Sequence, residues 1–347
     1  MVHANYITFV FVFSRILTQI QGQLCGQFEC APNAVCQGGL CMCSPGFIGS
    51  GRFLCVSQAA RCPCLSFGDP HTMLYDGQRV RTILPCEFVY TEFTSPVVSG
   101  MTCSVQVRLV TERRPTQANR FRQFVKEIVA VVTRDNTRLD IVASQAGINI
   151  QTTSTGAGTN PDPDITPIVS QMGQIHQVIL TECDTAIGFN PTLGSGFVDA
   201  PRAATFPPQG LCGNCDGMQN DNPFDNVAGA TPSEKDLALS LRQLSTTQST
   251  NDSATCTAVS ASAMKGTCTN DATLIAGVRA CSVFIMDSPY RDCLFAMGVG
   301  TKENLLFTFN SCLDLYCTPN TAAACGLVNS LSQPGINCAL PTGYTCV

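Results

Sequence analysis

The chain has no tryptophan, three histidines among 347 residues, and few charges: 13% of residues are Asp, Glu, Lys or Arg. Each shortage removes a class of function. The net charge of −5 leaves no basic excess with which to hold a phosphate backbone, so nucleic acid is not an expected partner. Beyond the N-terminal stretch only His71 and His176 remain, too little material for histidine-based catalysis or a zinc helix. There is no Ser/His/Asp set and no glycine-rich phosphate loop, so no enzymatic activity is expected. Long hydrophobic runs are missing as well. Ile7-Thr8-Phe9-Val10-Phe11-Val12-Phe13, extended by Ile16-Leu17, falls short of the roughly 20 apolar residues that span a bilayer. It reads as a secretory signal over residues 1–22, cut near Gly22, which implies a secreted, extracellular protein with no membrane span.

Cysteine is what the chain has in excess. There are 22, an even number, and no paired CxxC set to hold zinc. A disulfide framework in an oxidising compartment accounts for them, and the length allows two or three domains.

Residues 62–250 carry β patterning. In Ser104-Val105-Gln106-Val107-Arg108-Leu109-Val110 the apolar side chains fall on one face. Strands are predicted over 126–133, 138–142, 147–152 and 176–181, with a turn at Asp135-Asn136. Thr153 to Pro167, rich in Ser, Thr, Gly, Pro and Asp, reads as an exposed loop. The expectation is an antiparallel β-sandwich, and hence a mainly β protein. After about Cys256 the period changes: Leu274, Val278, Cys281 and Ile285 recur at helical spacing, and Ala322 to Leu331 is a second helix candidate.

The stretch Gly210-Leu211-Cys212-Gly213-Asn214-Cys215-Asp216-Gly217, followed by Met218-Gln219-Asn220-Asp221-Asn222, has the composition of a cross-linked loop around a hard cation. Calcium takes six to eight oxygens from carboxylates, amides and main-chain carbonyls, and Asn214, Asp216, Asp221 and Asn222 supply the first two kinds. The competing reading is an acidic surface turn held by disulfides. Cys212-Gly213-Asn214-Cys215 also has the form of a redox CxxC, for which a structural bridge is the alternative.

Upstream stands Cys64-Leu65-Ser66-Phe67-Gly68-Asp69-Pro70-His71, then Tyr75-Asp76-Gly77. Together with the Gly-Leu-Cys-Gly-Asn run, these residues resemble the opening and closing signatures of the von Willebrand factor type D domain (VWFD). The resemblance implies a structural calcium ion held by Asp76, Asn214, Asp216, the carbonyl of Met218, Asp221 and Asn222, and a bridge from Cys64 to Cys212. It leaves the partners of Cys62, Cys86, Cys103, Cys183, Cys215 and the C-terminal cysteines open. Candidate pairs are Cys86 with Cys256, Cys62 with Cys215, and Cys103 with Cys183. In some members of that family the Asp-Pro bond of this motif cleaves itself, here Asp69-Pro70; in most it is a structural turn.

Two further resemblances flank this one. Cys41-Met42-Cys43-Ser44-Pro45-Gly46-Phe47-Ile48-Gly49 is similar to the end of an EGF-like module, covering 23–57. It implies the pairs Cys25–Cys36, Cys30–Cys41 and Cys43–Cys55. Gln21-Gly22-Gln23-Leu24 lacks the acidic residues of calcium-binding EGF-like modules, so no ion is expected there. Cys281, Pro289-Tyr290, Cys293, Phe309-Asn310-Ser311-Cys312 and Cys317 resemble the cysteine-rich, helical C8 module, over 256–347. By analogy these modules imply a structural or adhesive role in mucus, matrix or coat, through other extracellular proteins or the chain itself, with disulfide-linked oligomers as one form. The alternatives are a ligand- or growth-factor-binding module, or a self-cleaving or redox-active assembly factor. Asn251-Asp252-Ser253 is an acceptor sequon for an N-linked glycan.

Overall fold

The computed structural model describes residues 24–25, 28–30, 32–38, 40–49, 55–57, 61–68, 70–98, 100–113, 123–154, 165–172, 174–207, 210–264, 268, 270–286, 288–297, 301–318, 320–330 and 338–346. The signal-like residues 1–22, Asp69 of the Asp-Pro pair and the side chain of Cys55 lie outside them.

The protein is mainly β, with antiparallel sheets throughout. Three small ladders come first: β1 (Leu24–Cys25) with β2 (Phe28–Glu29), β3 (Ala34–Gln37) with β4 (Leu40–Cys43), and β5 (Phe47–Gly49) with β6 (Cys55–Ser57). Cys25–Cys36 and Cys30–Cys41 bridge this segment, and Cys43 is also disulfide-bonded. Next come β7 (Arg61–Phe67), β8 (His71–Met73), β9 (Arg79–Arg81), β10 (Glu87–Thr94), β11 (Ser104–Arg113), β12 (Gln123–Arg134), β13 (Thr137–Ser144), β14 (Gly147–Ser154), β15 (Ile168–Met172), β16 (Ile175–Leu180), β17 (Thr185–Asn190) and β18 (Ser195–Pro201). They form a five-stranded meander, β10-β11-β12-β13-β14, and a seven-stranded sheet ordered β15-β16-β17-β18-β7-β8-β9.

The meander follows from simple alternation. Along β12, Val125, Ile128, Ala130 and Val132 are wholly buried while their neighbours are half-exposed. Asp135, at φ 45°, makes the tight turn into β13. The second sheet packs on the first through an unusually close approach. A Cβ on Gly196 of β18 would lie 2.4 Å from the Ile128 Cδ1 of β12, so glycine is a steric requirement where β18 crosses the core. On the other face of the same sheet, a Cβ on Gly188 would enter the ring of Phe197, its cross-strand partner.

β14 runs two residues further than the alternation suggested, through Thr153 and Ser154, because both pair with β13. The expected loop also ends early, since Ile165 is fully buried against the core. Thr181 leaves the strand and begins a short 3-10 turn, Thr181–Cys183. The 62–250 segment is not β throughout: α1 (Pro232–Arg242) lies inside it. Thr231 and Glu234 form a reciprocal capping box and Pro232 occupies the first turn, where its missing N–H costs nothing.

Helices then follow: α2 (Ser253–Met264), α3 (Asp271–Cys281), α4 (Pro289–Ala296), α5 (Lys302–Cys317) and α6 (Thr321–Ser330). α3 stops at Cys281 and continues as a 3-10 turn to Phe284. Cys281–Cys312 joins α3 to α5, Cys268–Cys317 ties the start of α3 to the end of α5, and Cys293–Cys338 and Cys325–Cys346 hold the C-terminal segment. Cys86–Cys256 links the sandwich to α2. Arg279 of α3 donates to both oxygens of Glu234, at 2.8 and 3.1 Å, locking α3 to α1. Burial alone would push the Glu234 carboxyl up; Arg279 and the Thr231 cap outweigh it and hold it below the usual range.

Glu87 fastens the helical half to the sandwich. Its carboxylate is fully buried, accepts from the guanidinium of Arg108, and accepts the Ser249 N–H at 3.0 Å and hydroxyl at 2.8 Å. Glu87→Ala is expected to destabilise by about 2 kcal/mol, because Arg108 keeps access to water while the Ser249 groups lose a charged acceptor. Denaturant midpoints of the two proteins measure it; unchanged midpoints would show that the 245–249 segment is held by other contacts.

Asp199 of β18 is a point in the core whose contribution to stability depends on pH. It is 8% exposed; one oxygen accepts from Arg61 Nε at 3.0 Å and the other has no hydrogen-bond partner among the described residues. Burial pushes its carboxyl up to about 6, partly offset by Arg61. A raised carboxyl favours the folded protein fully below its unfolded value near 4, and that contribution fades as pH rises through about 6. In EDTA, this contribution should therefore fall between pH 4 and 6, and Asp199→Asn should remove on the order of 2 kcal/mol of that fall. Identical pH profiles for the two proteins would refute this.

Candidate metal-binding loop

The loop from Gly210 to Phe224 is docked before any side chain takes part. Leu211 N–H donates to Val89 O and Cys212 N–H to Tyr90 O, so the loop runs along the outer edge of β10. Gly210 is required there: its φ is 119°, and a Cβ would sit 2.9 Å from Tyr90 O. Two bridges clamp it to β7, Cys64–Cys212 and Cys62–Cys215. Cys103–Cys183 closes the far side of the sandwich. Cys212 and Cys215 are thus joined to β7 and not to each other, and no cysteine among the described residues is free. This removes the thiol pair that the redox form of CxxC needs.

After β8 the chain turns sharply, with Gly77 N–H donating to Leu74 O and Leu74 N–H to Gln78 O. Tyr75 N–H donates to Cys212 O at 3.0 Å, stitching this turn to the loop. The Tyr75 ring is buried and its hydroxyl donates to Thr91. Burial pushes the Tyr75 phenol well above its ordinary value, so the ring acts as a neutral wedge.

Asp76 therefore meets residues 141 positions further on: its Oδ1 accepts the Gly217 N–H at 2.9 Å. Inside the loop, short-range hydrogen bonds fix the other side chains. Asn214 Oδ1 accepts from Asp216 N–H, Asp216 Oδ1 from Met218 N–H, and Asp221 Oδ1 from Asn214 N–H, all within 2.8–3.0 Å. Asn222, 3% exposed, accepts the Phe224 N–H, and the Met218 carbonyl accepts the Asn220 N–H. Gly213 is again steric as well as conformational: a Cβ there would lie 2.2 Å from Asp221 Cγ.

The electrostatics of this arrangement are one-sided. Asp76 Oδ2 and Asp221 Oδ2 are both buried with no hydrogen-bond partner among the described residues. Burial pushes the Asp221 carboxyl up to about 6, and the neighbouring Asp76 and Asp216 charges push the same way. Asp76 is raised by burial and by Asp216, with Arg202 opposing. A small cavity of about 90 Å³ opens beside it, bounded by Met73–Gly77, Arg202 and Gly217. Buried anionic oxygens that repel each other and lack donors are what a cation stabilises. The donors are all oxygen, which suits calcium and not zinc. The three carboxylates do not converge on a point by themselves. Among the described residues the one trio of acidic, histidine or cysteine ligand atoms within 4.8 Å of each other is Cys25, Cys30 and Cys41, whose sulfurs are spent in disulfides. Amide and main-chain oxygens would have to complete the set.

Elsewhere, Pro70 is buried and its carbonyl accepts from Thr82, while His71 is exposed beside Phe67. Asn251 is exposed in the turn that precedes α2, open to a glycan. Sequence reasoning missed Arg61, Asp199, Arg202 and Glu87; a charged residue bordering a buried strand was the one signal available. The chain matches no protein-family model and no curated protein sequence.

Proposed function

We propose that this chain is a secreted structural or adhesive protein of mucus, matrix or coat type, built around a von Willebrand type D sandwich that calcium stabilises. An EGF-like module precedes the sandwich and a C8-like helical module follows it. The observation that carries the reading is the meeting of Asp76 with the 212–222 loop, leaving two buried carboxylate oxygens without partners. Asp76, Asn214, Asp216 and Asp221 would hold the ion, with the Met218 carbonyl and Asn222 as further ligands. The ion supplies positive charge that cancels the mutual repulsion of the three carboxylates. The chain's own residues do the rest: the two disulfides and the Tyr75–Cys212 hydrogen bond hold the two halves of the site together. Among the described residues there are ten complete bridges and no helix long and apolar enough to cross a membrane, which accords with an extracellular setting. Its partners are other extracellular proteins or further copies of itself.

Metal analysis and thermal unfolding of the secreted protein test this. One calcium per chain is expected. Saturating calcium at 100 times Kd adds about 2.7 kcal/mol, a rise in Tm of roughly 5–10 °C over EDTA for a domain of this size. Asp76→Asn should abolish most of that rise. Equal melting temperatures in calcium and in EDTA would defeat the reading.

A further inference from the structure

The chain contains two Asp-Gly pairs, Asp76-Gly77 and Asp216-Gly217, and no Asn-Gly. In such pairs an aspartate reacts most readily with its own backbone, because glycine puts no side chain in the way of the attacking nitrogen. Both pairs meet at the 210–224 loop, yet their hydrogen bonds differ. Asp76 reaches away from its own peptide. Its Oδ1 accepts the Gly217 N–H at 2.9 Å, and the Gly77 N–H donates to Leu74 O at 3.0 Å. Asp216 folds back on its own peptide. Its Oδ1 accepts the Met218 N–H at 2.8 Å, an Asx turn that lays the carboxyl group along the Asp216–Gly217 bond. Both residues of that second pair are exposed to water.

We infer that Asp216 is a site of spontaneous conversion to isoaspartate, and that Asp76 restrains the conversion. The Gly217 nitrogen bonds to Asp216 Cγ; its hydrogen leaves with a carboxyl OH as water, closing a five-membered succinimide. Water then adds at the former main-chain carbonyl and that C–N bond breaks, so the chain continues through the side-chain carboxyl. One water leaves and one returns, so the mass is unchanged and no oxidant or cofactor takes part.

The Asx turn supplies the proximity that an intramolecular attack needs. The nucleophile is what is held back. The Gly217 N–H is bound to the Asp76 carboxylate, and a hydrogen bond to a charged group shifts an equilibrium by about tenfold to a hundredfold. The reaction therefore waits for Asp76 to let go. Its product lengthens the backbone by one carbon between Cys215, fixed by its bridge, and Gly217, so the loop no longer fits against Asp76. The inference stands on these hydrogen bonds and does not need a bound ion.

The test is incubation of the full secreted chain, disulfides intact, at body temperature and neutral pH in EDTA, followed by peptide mapping that separates aspartyl from isoaspartyl peptides. Isoaspartate is expected at 216 and not at 76, at a rate at least tenfold below that of Asp216 in the reduced, denatured chain. Asp76→Ala should raise the native rate at 216 about tenfold, with amide exchange outside the loop as in the wild type. Gln219→Ala removes only the 3.2 Å hydrogen bond from Gln219 Nε2 to Asp76 O, and should raise the rate less, in the same direction. Asp216→Glu, whose ring would have six members, should give no isomer at this position. The inference is overturned if neither Asp76→Ala nor Gln219→Ala changes the rate at 216, if 76 isomerises faster than 216 in the native chain, or if 216 stays unmodified throughout. Calcium should slow the wild-type reaction further, since a carboxylate bound to an ion does not readily lose its oxygen; an unchanged rate in calcium counts against the metal reading alone.

Discussion

Opening both clasps between β7 and the 212–215 loop is expected to cost about 6 kcal/mol, whereas opening either one should cost about 2 kcal/mol. The reason is circuit topology. Cys62–Cys215 and Cys64–Cys212 run side by side, so while one remains the other closes a ring of only a few residues. Remove both, and the shortest route left passes through Cys86–Cys256, a ring of about 65 residues whose closure is worth about 4 kcal/mol more. Domains carry total stabilities of about 5–15 kcal/mol, so losing the pair leaves a sandwich that is marginal or unfolded. Cys62→Ala/Cys215→Ala, Cys64→Ala/Cys212→Ala and the quadruple variant, unfolded in guanidinium without reductant, measure the three values. If either double variant is as unstable as the quadruple, the two bridges are not in parallel and the account is wrong.

The second large effect is expected at Gly213. Alanine there pays twice. At φ 69° a side chain costs about 1–2 kcal/mol, and a Cβ 2.2 Å from Asp221 Cγ must push that carboxylate aside for about 1–3 kcal/mol more. The sum is about 3 kcal/mol in EDTA; on the proposed calcium reading at least a tenfold loss of affinity accompanies it, because Asp221, like Asp76, brings a buried, unpartnered carboxylate oxygen to this site. Gly100→Ala, between β10 and β11 and outside the loop, is the control. Its φ is 81° and nothing lies within 4 Å of a Cβ there, so it strains the backbone without touching a proposed ligand. Isothermal titration with calcium separates them. Equal affinities in the two variants would mean that Asp221 does not hold the ion.

Much of the sandwich could be read before the structure because one face of β11, β12 and β13 is wet, and wet faces write alternation into sequence. β18, Ser195–Pro201, left no such mark. All seven residues are buried, so Gly196, Asp199 and Pro201 interrupt a strand enclosed on both sides. β7 is similar: five consecutive residues are buried, with Pro63 among them. The candidate site was legible where motif residues lie in one loop, and its link to Asp76 rested on resemblance. The supporting parts were not legible at all. Nothing local marks Tyr75 as the residue whose N–H reaches Cys212, or Gly213 as the glycine that makes room for Asp221. These are facts about chain crossing, and a linear sequence does not record crossings. α1 was readable from Thr231-Pro232-Ser233-Glu234 but was lost within a segment otherwise dominated by strands.

The bridges of the sandwich also set a timetable. Cys64 is synthesised 148 residues ahead of Cys212, and Cys86 170 residues ahead of Cys256. At roughly 5–20 residues per second, a newborn chain waits about 7–30 seconds with its first thiols unmatched. During that interval Cys62, Cys64 and Cys86 can meet the six cysteines upstream, Cys103, Cys183 and one another before their own partners exist. In the oxidising compartment that the proposed function implies, any wrong pairing formed in that interval would be undone by thiol–disulfide exchange, so the folding yield there should depend on that exchange more than on the stability of the finished fold.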